Sequence, residues 1–122
     1  MNNKKVASIG TLGIKSKKYK KNLSNTTIDP IQLSKILNNL KKHNINNVIM
    51  EASSHGLSQN RLDGLLFNTG IFTNLSQDHL DYHKNTKNYL KAKLYLFEKL
   101  IKKGGNIITD EKIPEFKKIK AI

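Results

Sequence analysis

The stretch Val48-Ile-Met-Glu-Ala-Ser-Ser-His55 joins an unbroken apolar triplet to a polar cluster. An apolar run without alternation suits a strand of a parallel sheet, buried on both faces because helices cover it above and below. Upstream, Asp29-Pro30 provides a helix start, with aspartate as the N-cap and proline at the first helical position. Leu33, Ile36, Leu37 and Leu40 follow at helical spacing and predict an amphipathic helix over Pro30–Lys42. Asn44–Asn47 breaks it. Earlier still, Lys5–Ile9 reads as a strand entering a glycine-bearing turn, Gly10-Thr-Leu-Gly13, and Ile14–Leu23 as a lysine-rich loop.

Downstream, Gly70-Ile-Phe-Thr73 is a second apolar run ending in polar residues. Thr86 is placed to cap a long helix, Lys87–Lys102, which Gly104-Gly105 should end; Asn106-Ile-Ile108 then reads as a strand and Glu111–Lys120 as a weaker helix. Strands alternating with helices predict an α/β domain with a mainly parallel sheet flanked by helices. Ligands of such sheets bind beyond the carboxyl ends of the strands. The polar clusters Glu51–His55 and Asn74–His83 both fall there.

With 122 residues the chain has room for one domain and one core. It contains no cysteine, which excludes disulfides and thiolate metal sites. No apolar run approaches the roughly 20 residues of a membrane-spanning helix, and no signal-peptide core follows the N-terminal lysines. The expectation is a soluble, cytoplasmic protein.

A formal net charge of +13 raises the question of nucleic acid. Almost all of that charge is lysine, with Arg61 the one arginine, and asparagine and isoleucine are also heavily used. That combination follows from an AT-rich coding sequence. The lysines fall on expected loops and helix surfaces, without the aromatic pattern, zinc ligands or helix-turn-helix of a nucleic-acid module. No nucleic-acid or membrane partner is expected, and no obligate protein partner. A basic, non-enzymatic binding module is the alternative, and a steep salt dependence of nucleic-acid binding would single it out.

Plotted at 100° per residue, Tyr89, Leu96, Leu100 and Phe97 form one apolar arc of the long helix, flanked by Leu90 and Ala92. Lys93 falls in its middle. A lysine there either snorkels to water along its neighbours or faces an active site roofed by the helix. In the second case a neutral amine could take up carbon dioxide as a carbamate and bind Mg²⁺. The helix alone leaves both open.

Asp78, His79, Asp81 and His83 crowd six positions, a set that suits Mg²⁺, Mn²⁺ or Zn²⁺ and equally suits turn and cap duties. An unrelated metal hydrolase would bring Asp81 and His83 into one site with His79. Glu51, directly after its strand, is a stronger candidate metal- or water-orienting acid. Asn25-Thr-Thr27 offers an amide and hydroxyls to phosphate or carboxylate oxygens, or is simply a capping loop. Ser53-Ser-His55 lacks the Gly-x-Ser-x-Gly elbow of a serine hydrolase.

Taken in order, Ala7-Ser-Ile-Gly-Thr-Leu-Gly13, Asn25-Thr-Thr27, Met50-Glu-Ala-Ser-Ser-His-Gly-Leu57, Gln59, Arg61, Phe72-Thr-Asn-Leu-Ser-Gln-Asp-His-Leu-Asp-Tyr-His83 and Asn88-Tyr-Leu-Lys-Ala-Lys93 resemble the MurE-type Mur ligases over most of the chain. The resemblance implies that residues 1–122 are a partial central domain. It also implies that the P-loop strand and helix, the N-terminal UDP-binding domain and the C-terminal domain lie outside them. It implies roles residue by residue: Asn25, Thr26, Thr27, Ser53, Gln59 and Arg61 hold the UDP-MurNAc-dipeptide, while Glu51, His79 and a carbamylated Lys93 hold Mg²⁺ and form the catalytic set.

The implied reaction belongs to peptidoglycan synthesis. ATP phosphorylates the D-glutamate carboxylate of UDP-MurNAc-L-Ala-D-Glu, and the acyl phosphate is attacked by the amine of meso-diaminopimelate, or of lysine. A Gly-x-x-x-x-Gly-Lys-Ser/Thr motif is missing from these residues, so the chain alone is expected to be catalytically incomplete. Ile108-Thr-Asp-Glu111 departs from the family's nucleotide segment and carries no role over.

Overall fold

The computed structural model describes residues 5–17, 20–23, 26–75 and 80–122. Strand β1 (Val6–Gly10) turns through Thr11-Leu12 into β2 (Gly13–Lys15), which pairs with β3 (Lys20–Lys21). Gly13 takes φ 80°, a left-handed conformation that only glycine adopts without strain, and this sends β2 back antiparallel along β1. The lysine-rich segment expected to be a loop is therefore partly a hairpin.

Helix α1 spans Pro30–Lys42, as its sequence signals predict. One carboxylate oxygen of Asp29 accepts hydrogen bonds from the Ile31 and Gln32 amides at 3.1 and 3.0 Å, satisfying donors that the helix itself leaves free. Leu33, Ile36 and Leu40 pack against Ala7 and Ile9 of β1 and Ile14 of β2, forming the main core. Beyond α1, β4 (Asn47–Met50) pairs parallel with β1, and the sheet order is β3-β2-β1-β4. This sheet is mixed. The expectation of a mainly parallel sheet holds only in part: β1–β4 is parallel, whereas the short connections between β1, β2 and β3 make those neighbours antiparallel.

A second, two-stranded parallel sheet joins β5 (Phe67–Phe72) to β6 (Ile101–Thr109). Helix α2 (Ser54–Ser58) precedes β5, and α3 (Leu80–His83) and α4 (Thr86–Tyr95) lie between β5 and β6. Asn85, rather than Thr86, caps α4, its Oδ1 accepting from the Asn88 amide at 2.8 Å. The helix continues as a π-helical turn, Leu96–Leu100, and stops two residues earlier than periodicity suggests. Gly104 and Gly105 fall inside β6, in a bulge where the register jumps from Phe67 opposite Ile101 to Thr69 opposite Asn106. Phe72, Leu90, Leu94, Phe97 and Ile119, the last from α5 (Phe116–Lys120), make a second core cluster.

A cleft of about 920 Å³ separates the two sheets, lined by Asn47–Ser53 on one side and Leu65–Thr73 on the other. β4 and β5 are thus edge strands facing one another across open space. This explains why Ile49 is 68% exposed and Ile71 61%, although both strands read as buried on two faces. Among the described residues no helix is long and apolar enough to cross a membrane.

Candidate functional site

Glu51 leaves β4 at its carboxyl end, its amide donating to the Ile9 carbonyl at 2.9 Å. The carboxylate folds back over Gly10, where a β-carbon would come within 2.4 Å of Glu51 Cδ. The Thr11 amide and the Thr11 hydroxyl both donate to Glu51 Oε2, each at 2.8 Å. Because that hydroxyl has one proton, Thr26 must donate in the 3.0 Å contact between the two threonine hydroxyls. Thr11 was not singled out from sequence. Its signal is the turn Gly10–Gly13 itself, 40 residues from its partner.

Behind this, Thr27 is buried, at 2% exposure. Its hydroxyl accepts from the Ser53 amide at 2.9 Å and contacts Ser53 Oγ at 2.9 Å. Ser53 in turn caps α2 by accepting from the Gly56 amide at 3.1 Å, a Ser-x-x-Gly start too short for periodicity to reveal. Arg61 Nη1 donates to the Thr27 carbonyl at 2.7 Å, so part of this guanidinium organises the loop. Gln59 Nε2 donates to Tyr82 Oη at 3.0 Å.

Lys93 enters the same cleft from the other wall, half-buried, and its Nζ donates to the Asn74 carbonyl at 2.7 Å. Nζ also stands 5.1 Å from the Tyr89 ring centre and 5.4 Å from that of Phe72. Carbonyl and ring faces both favour positive charge at this position. The cleft is therefore lined by Glu51, Ser53, Thr26 and Lys93 together, while Thr27, Gln59 and Arg61 lie behind or beyond α2. Asn25, Asp78 and His79 lie outside the described residues.

The donor chemistry fits a hard divalent cation in part. Glu51 Oε2 is taken by Thr11, and no described residue hydrogen-bonds Oε1, which leaves one anionic oxygen at the cleft. No group of three His, Cys, Asp or Glu converges among the described residues. His83 is buried at 6% exposure, bonded through Nε2 to Ser54 Oγ at 2.9 Å and stacked on Tyr89, while Asp81 is exposed. That arrangement speaks for a structural His83 tying α3 to α2 and against the metal-hydrolase alternative.

Two tyrosines flank these elements with opposite shifts. Hydrogen bonds from Ser58 and then Gln59 hold the Tyr82 phenol below its ordinary value of 10.0. The hydrogen bond that Tyr95 donates to Asp63, together with burial and the carboxylate's charge, pushes Tyr95 above it. Ionising Tyr82 therefore favours the fold as pH rises through its folded value, whereas the contribution of Tyr95 is complete below 10.0 and is lost above it. Alkaline titration followed by phenolate absorbance should show Tyr82 ionising before Tyr95. Tyr82→Phe should remove the early phase, and an unchanged profile would contradict the assignment.

Residues 1–121 match the Mur ligase middle domain. The chain belongs to the Mur ligase family. Among its relatives, the UDP-N-acetylmuramoyl-L-alanyl-D-glutamate–2,6-diaminopimelate ligase of Wigglesworthia glossinidia brevipalpis is 51% identical over 96 residues, which is 79% of this chain and 19% of the relative. The ligase of the same name from Rickettsia bellii is 44% identical over 120 residues, covering 95% and 25%. A solved structure of such a diaminopimelate ligase superposes with a TM-score of 0.81 at 29% identity, over 97% of this chain and 23% of that one. This Mur ligase chain thus spans about a fifth to a quarter of the length of those relatives.

Proposed function

We propose that the chain supplies the acceptor-binding and cation-holding part of an ATP-dependent amide-bond ligase of peptidoglycan synthesis. The substrate class is UDP-MurNAc-L-Ala-D-Glu, and the incoming amine that of meso-diaminopimelate, or of lysine. The supporting observation is the convergence of Glu51, Ser53, Thr26 and Lys93 on one cleft at the carboxyl ends of β4 and β5.

In this reading Ser53 and Thr26 orient the acceptor's oxygens, and the buried Thr27 with Arg61 keeps that loop in place. Glu51 holds Mg²⁺ through the oxygen Thr11 leaves open, with His79 and, after carbamylation, Lys93 completing the set. When bound, Mg²⁺ supplies neutralisation of charge on the transferring phosphoryl group. In its ammonium form Lys93 is instead a fixed cation beside the acceptor carboxylate. Residues 1–122 contain no glycine-rich cradle for the ATP phosphates, so they form a partial central domain, incomplete for turnover. A cytoplasmic location accords with nucleotide-linked substrates.

Titrating UDP-MurNAc-L-Ala-D-Glu into the labelled chain should give saturable amide shifts at Thr26 and Ser53. Adding ATP and diaminopimelate should release no phosphate. Absence of any shift would remove the acceptor role, and phosphate release above the blank would remove the incompleteness.

A further inference from the structure

A glutamate reaching into a cleft has three free torsions, and ordering it costs side-chain entropy. Glu51 avoids that loss on ligand binding by being ordered beforehand. Both Thr11 bonds converge on the same oxygen, Oε2, at 2.8 Å. Position 10 must lack a side chain, since a β-carbon there would stand 2.6 Å from that oxygen. The Thr11 hydroxyl oxygen accepts a hydrogen bond from the Thr26 hydroxyl, so a chain of donors runs Thr26 to Thr11 to Glu51. One carboxylate oxygen is thereby fixed and the other left open.

We propose that Thr11 is a positioning residue, which with the bare backbone of Gly10 locks Glu51 in the rotamer that presents Oε1 to a divalent cation. The same hydroxyl couples that carboxylate to the Thr26 loop, so cation and acceptor sites share one hydrogen-bonded corner. The inference rests on the reading of Glu51 as a cation ligand. Partners that orient a metal ligand change affinity about 10- to 100-fold when removed.

The test uses Mn²⁺ as the paramagnetic probe, with free Mn²⁺ followed by electron paramagnetic resonance in the 122-residue chain, alongside a urea melt of each variant. Thr11→Val, which keeps the amide and removes the hydroxyl, should weaken Mn²⁺ binding about 10-fold. Thr11→Ser, which keeps the hydroxyl, should restore most of the lost affinity, with both melts near wild type. Gly10→Ala should weaken binding independently, and Glu51→Gln should abolish it. Loss in Glu51→Gln with wild-type binding in Thr11→Val or Gly10→Ala overturns the positioning role and leaves Glu51 a ligand. Equal weakening in Thr11→Val and Thr11→Ser, with lowered melts, also overturns it, because the hydroxyl is then only structural. Wild-type binding in Glu51→Gln, or no saturable binding by the chain, sinks the ligand reading and this inference with it.

Discussion

Ile9→Ala should lower the urea midpoint of the chain by about 1 to 2 M. Ile9 is 1% exposed, lies between Met50 of β4 and Ile14 of β2, and belongs to the cluster closed by α1. Removing three buried carbons forfeits their transfer energy and leaves a void, together about 2–5 kcal/mol. A domain of this size holds about 5–15 kcal/mol in all, and here the edges of β4 and β5 stand open along the cleft, so the fraction lost is large. Ile49→Ala is the internal control. At 68% exposure it should move stability by no more than about 0.5 kcal/mol, although sequence makes the two isoleucines look alike. Equal midpoints for the two variants would contradict the packing described.

Arg61→Ala should have the second largest effect. Its bond to the Thr27 carbonyl is charge-assisted, 2.7 Å long and partly buried, a type whose loss costs about 1.5–3 kcal/mol. The damage spreads, because Thr27 in turn bonds the Ser53 amide and hydroxyl. Hydrogen exchange at the Ser53 amide should therefore quicken along with the drop in midpoint. Arg61→Lys should recover only part of either, since an ammonium on a flexible stem does not reproduce the guanidinium's fixed fork. Unchanged Ser53 exchange in Arg61→Ala would show that the loop stands without it.

Much of this was legible locally. Asp29-Pro30 announces α1 because capping chemistry is confined to a few neighbouring residues, and the structure reproduces the helix at both ends. The position of Lys93 among apolar neighbours likewise needs only helical spacing, and the residue does enter the cleft half-buried. The β2–β3 hairpin was not legible: its strands are three and two residues long and rich in lysine, too short for any period. The end of α4 was misplaced because a π-helical turn changes the spacing that a constant 100° assumes. Thr11 was missed for a different reason. Its partner is distant in the chain, and a hydrogen bond across 40 residues leaves no periodic trace.

The gap between the two sheets has a mechanical side. Glu51, Ser53 and Thr26 stand on one bank and Lys93 on the other, so the spacing of these four groups is set by how far the banks are parted. Any guest that grips both banks at once must add its grip to the cohesion of the whole molecule, by an amount that grows with the logarithm of its concentration relative to its Kd. Catalytic readiness and resistance to unfolding would then rise together.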